Sequence, residues 1–184
     1  MKKTILLILL ALVPMFIFAQ EGKETESKSK AVEFSKKDGT LLRKEFYDIG
    51  SVKGIEFQVL IMTDELSKEK LGALRIKTSY YSSVGTDDYV GTLDFDEIDA
   101  CLKSLEYIQN TIITSTPATY TECGYSTKDN VEIGTYSSEK KGWVVYIQTK
   151  GYTTRSLKFV DLKEFPKVIK YITSAKSKIQ ELVN

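Results

Sequence analysis

The sequence predicts an α+β fold: an antiparallel sheet built from two tandem repeats, each a run of strands ending in one helix, with both amphipathic helices on one sheet face. Three observations predict it. Alternating apolar and polar residues recur in two separate series, and each series ends in a segment whose apolar residues fall at helical spacing. The second such segment also repeats the first. Leu93–Ile108, LDFDEIDACLKSLEYI, aligns without a gap on Leu157–Ile172, LKFVDLKEFPKVIKYI, with Leu, Phe, Lys, Tyr and Ile identical.

The segment from Met1 to Ala19 has the form of a secretory signal peptide: Lys2 and Lys3, an apolar run from Ile5 to Phe18, then a small residue for cleavage. Residues 20–32 are read as a flexible polar tether, since EGKETESKSK has no apolar side chain to bury. The remainder, 33–184, is read as a single α+β domain with pseudo-repeats over about 40–113 and 118–184.

In the first series, Leu41–Ile49 follows the turn signal KKDGT, and GIEFQVLIM and LRIKTSYY alternate cleanly. SSVGTDD reads as a loop, and Tyr89–Leu93 as a short strand into the first helix. That helix has its stripe at Ile98, Cys101, Leu102, Leu105, Ile108 and Ile112. Pro117 ends the half, because the residue before a proline is pushed out of the helical region.

The second series is Thr119–Tyr125, Val131–Ser137, Trp143–Thr149 and Tyr152–Phe159. Its helix carries Leu162, Phe165, Ile169, Ile172 and Ile179, with Lys176 as the one polar interruption. Pro166 fits if that helix starts near Glu164, which puts the ring in the tolerated first turn. The gapless register sets Cys101 opposite Phe165, which makes Cys101 a core residue. The two units are expected to join edge to edge into one long sheet over one hydrophobic interior.

Composition excludes much chemistry. There is no histidine, so triads, histidine general bases and histidine metal sites are ruled out. No glycine-rich phosphate loop occurs, and no cofactor is implied. Removing Lys2 and Lys3 leaves 24 basic against 25 acidic residues, a net charge of −1 that gives no field for nucleic acid. No membrane span follows the signal. Ser-x-x-Lys occurs at Ser27–Lys30, Ser67–Lys70 and Ser138–Lys141 without the companion motifs of a serine–lysine nucleophile. Cys101 and Cys123 would permit one disulfide in an oxidising compartment, the alternative being two free thiols. Asp94, Asp96 and Asp99 belong to an acidic run that fits helix capping better than a metal site.

What remains is aromatic. If the helices cover the face bearing Phe57 and Ile76, alternation sends Leu60, Met62, Tyr81, Tyr136 and Tyr146 to the other face. Such a face suits stacking against a ligand or an apolar partner. The sequence thus points to an exported soluble, non-catalytic binding or accessory domain, periplasmic or secreted after signal cleavage, with an extracytoplasmic ligand or protein as partner. The alternatives are a hydrolase with paired carboxylates acting on an extracellular polymer, and a structural module that forms a homodimer through the same face.

Overall fold

The structure, a computed structural model, describes residues 29–138 and 142–183. The secretory signal, Ser27, residues 20–28 of the expected tether and Lys141 fall outside the described residues. The chain order is α1 (Lys30–Ser35), β1 (Leu42–Val52), β2 (Ile55–Asp64), β3 (Lys70–Ser82), β4 (Gly85–Asp94), α2 (Ile98–Tyr107), β5 (Thr121–Ser126), β6 (Glu132–Ser138), β7 (Gly142–Gln148), β8 (Leu157–Val160) and α3 (Phe165–Val183). This is an α+β fold of two antiparallel four-stranded sheets, ordered β1-β2-β3-β4 and β5-β6-β7-β8.

The two sheets do not fuse into one ladder, as the edge-to-edge expectation had it. They abut through side chains instead. Thr78 and Thr149 share a hydroxyl hydrogen bond at 2.8 Å, and Thr127 Oγ1 donates to the Thr92 carbonyl at 3.1 Å. The carboxylate of Asp129 accepts from the Thr92 N–H at 2.9 Å and pairs with Lys150 at 3.2 Å. Gly91 sits at the joint. A Cβ there would collide with Val131 Cγ2 and lie 2.8 Å from the Thr149 carbonyl oxygen, so only glycine lets the sheets close to this distance.

One core holds both halves. Phe57, Val59, Ile61, Leu74, Ile76 and Leu93 of the first sheet share it with Ile133, Val145 and Ile147 of the second and with the buried stripes of α2 and α3. The helices pack side by side, but each lies mainly on the other half's sheet: α3 crosses β1, β2 and β3, and α2 rests against β5. The halves are therefore interlocked.

The internal repeat has a different register from the gapless alignment. Leu93–Asp94 ends β4 and Val160 ends β8 with Asp161 just after it, Phe95–Glu97 and Leu162–Glu164 each form a single 3-10 turn, and Ile98 and Phe165 each open a helix. Phe165 is thus the counterpart of Ile98 and not of Cys101, a slip of three positions. The corrected equivalence carries the buried residues Ile98, Cys101, Leu105 and Ile108 onto the buried Phe165, Val168, Ile172 and Ala175. Cys101 is core, as expected, but its counterpart is Val168. The stripe of α3 passes through Ala175, so Lys176 does not interrupt it and instead reaches Asp99 at 2.5 Å. Pro166 stands second in α3, within the tolerated first turn.

Two further elements depart from expectation. SSVGTDD is not a loop: Gly85–Asp88 extends β4, and Ser79 donates to Asp88 at 2.6 Å across the hairpin. Polar residues form strand there because the hairpin projects beyond the core. Residues 29–32, expected to be tether, cap and open α1. The hydroxyl of Ser29 accepts from the Val32 N–H at 3.3 Å and donates to Asp94 at 2.8 Å. Ala31 and Phe34 then bury against Leu60, Met62 and Ala73, a satellite cluster on the outer face of the first sheet. Burying Phe34 contributes about 2 kcal/mol to that docking.

Candidate functional site

Of the five residues expected on the open face, the structure brings two together. Leu60 and Met62 do face away from the main core, but α1 covers them and Met62 is 0% exposed. They are withdrawn from any contact surface, because the short helix needs an apolar seat and takes theirs. Tyr81 is 75% exposed, at the end of the β3–β4 hairpin on the other sheet. Tyr136 and Tyr146 are neighbours on the outer face of β5–β8.

That face is organised in cross-strand rows. Glu122, Tyr136 and Val144 form one row; Gly124, Gly134, Tyr146 and Phe159 the next; Ser126, Glu132, Gln148 and Leu157 the third. Tyr136 is the hub, with ring centroids 6.2 Å from Tyr120, 6.1 Å from Tyr146 and 6.3 Å from Phe159. These spacings suit tilted and edge-on ring contacts. Tyr120 and Phe159 are 57% and 53% exposed, whereas Tyr146 is 8% exposed and lies flat over the sheet.

The directly paired Gly124 and Gly134 lie beneath the Tyr146 ring. A Cβ on Gly134 would lie 2.9 Å from the Gly124 Cα and 3.0 Å from Tyr146 Cζ, so the missing side chains are what allow the Tyr146 ring to settle. The result is a shallow hollow of about 320 Å³ with rings as its wall and a carboxylate at either end. Tyr146 donates its hydroxyl to Glu132 Oε1 at 2.5 Å, and Tyr120 donates to Glu122. Burial, reinforced by the Glu132 hydrogen bond, raises the Tyr146 pKa, so the phenol remains a donor at neutral pH. No lysine or arginine among the described residues pairs with Glu122 or Glu132. Both acids were missed in the sequence, although each shares strand parity with a named tyrosine.

A larger hollow, about 610 Å³, lies between the C-terminal end of α2 and β5, bounded by Lys103, Glu106, Tyr107, Asn110, Cys123 and Gly124. Its one aromatic ring and mixed charges offer no comparable convergence. Cys101 and Cys123 are both free thiols, so the optional bridge is not formed. Burial, with the Glu97 charge adding to it, pushes the Cys101 thiol up to about 12.

The acidic run is spent on structure. Asp94 accepts from Ser29 Oγ at 2.8 Å and from the N–H groups of Lys30 and Ala31 at 2.6 and 3.0 Å, capping α1. Asp96 pairs with Lys30 at 2.9 Å and Lys128 at 3.0 Å, and Asp99 pairs with Lys176. Glu97 accepts from the Asp94 N–H at 3.1 Å and the Lys128 N–H at 2.9 Å, and burial raises its pKa. Among the described residues no group of three or more potential ligands converges on a metal position, and no helix is long and apolar enough to cross a membrane.

No protein-family model matches this chain, and neither a curated protein nor a solved structure matches it significantly.

Proposed function

We propose that this chain is an exported, non-catalytic binding or accessory domain whose contact surface is the outer face of β5–β8. The observation that carries the reading is the Tyr136 hub: four rings drawn together on a sheet face that no helix among the described residues covers. A wall of rings with the Tyr146 ring at its base admits a flat or extended ligand, and the phenols and carboxylates supply orientation. The equivalent face of the first sheet is instead occupied by α1.

The test is thermal-shift screening of the mature chain against extended peptides and soluble oligosaccharides, with Tyr136→Ala in parallel. At least one ligand should raise the melting temperature of the wild type and leave the variant unmoved. Shifts that survive the substitution across the whole panel, or no shift at all, would overturn the proposal. A homodimer through this face would instead appear in light scattering as a mass that doubles with concentration and returns to monomer in Tyr136→Ala.

A further inference from the structure

We infer that the hollow takes a basic peptide segment, an arginine side chain of which seats on its rings and carboxylates. This rests on the binding reading above and narrows it to one ligand class. The reason is charge complementarity. Glu122 and Glu132 each spend an oxygen on a tyrosine hydroxyl, and the second oxygen of each has no partner among the described residues. In a chain with nearly balanced charge, these two acids share one aromatic surface with no cation among the described residues beside them.

A guanidinium matches that environment in two ways. Its plane stacks on tyrosine rings, and its edge donates to a carboxylate. An ammonium has no plane to stack and no forked donor edge, and a neutral sugar leaves both charges facing an uncharged ligand.

Fluorescence polarisation with the mature chain tests this. The probe is a labelled Arg-Gly-Ser-Gly-Arg peptide, compared with the same peptide carrying citrulline at both ends. Replacing arginine by its uncharged isostere should weaken binding by about tenfold or more, the cost of losing charge-assisted hydrogen bonds. The double variant Glu122→Gln with Glu132→Gln should lose as much. It keeps an acceptor for each tyrosine hydroxyl, and circular dichroism should show it folded. Added salt should weaken binding. Equal affinity for the arginine and citrulline peptides, undiminished binding by the double variant, or no binding of the arginine peptide at millimolar concentration would each overturn the inference. A neutral ligand whose thermal shift disappears in Tyr136→Ala would still leave the contact face standing, which separates the two failures.

Discussion

Gly91 and Val131 meet at the line where the two sheets abut, with no room between them for even one methyl group. Gly91→Ala should therefore destabilise the protein by about 1–3 kcal/mol through overpacking. The Thr149 carbonyl crowds the same point, so Val131→Ala added to it should restore only part of that loss. Urea unfolding of the two single variants and the double measures the coupling. Additive effects would mean that the sheets can part at this point.

The crossing of helices between halves makes its own prediction. Ile179 belongs to the second half, yet it packs over Gly72 of the first sheet, close to Ile61. Ile179→Ala should cost about 2–5 kcal/mol. Amide hydrogen exchange should then accelerate in β2 and β3 at least as much as in β5–β8. Acceleration confined to β5–β8 would show that α3 serves its own half.

The cysteines differ in reach. Cys101 is buried with a thiol pushed up to about 12, whereas Cys123 is only half-buried. Iodoacetamide should label one cysteine, Cys123, in the native protein and both after unfolding without reductant. A chain that takes no label until it is reduced would contain the bridge.

Acid should loosen α1 through Asp96. The hydrogen bond from Lys30, and then Lys128, hold its carboxyl below the ordinary aspartate value of 3.8, against a smaller opposing effect of burial. A depressed folded-state pKa gives stability that is full above that ordinary value and is lost as pH falls through the lower one. Wild type should be more stable than Asp96→Asn at neutral pH, and their urea midpoints should converge as pH falls through the depressed value. A difference that persists undiminished at low pH would show that these ion pairs contribute nothing.

The fold class, the two strand series and the parity of the core residues of β2 and β3 were legible in the sequence, because period two in a strand admits one reading. The repeat register was not. Setting Phe165 against Cys101 instead of Ile98 is a slip of three positions, close to one helical turn, so an amphipathic stripe matches itself almost as well after the slip. The junction residues fix the register: Asp94 and Asp161 each stand immediately ahead of a 3-10 turn. The short helix α1 escaped notice because Ala31 and Phe34 are its only buried residues, and they are set among charged ones. That one omission is why Leu60 and Met62 read as open surface. Tyr136 and Tyr146 could be placed on one face by alternation. The hollow between them could not, since it depends on the cross-strand pairing of Gly124 with Gly134.

The most direct measurement is mapping of amide chemical shifts in the labelled mature chain as the two-arginine peptide is added. Changes should concentrate at Glu122, Gly124, Glu132, Gly134, Tyr136 and Tyr146, and leave Tyr81 and α2 unmoved. Changes centred on Lys103, Tyr107 and Asn110, or on the first sheet, would place recognition elsewhere and contradict the assignment of the β5–β8 face.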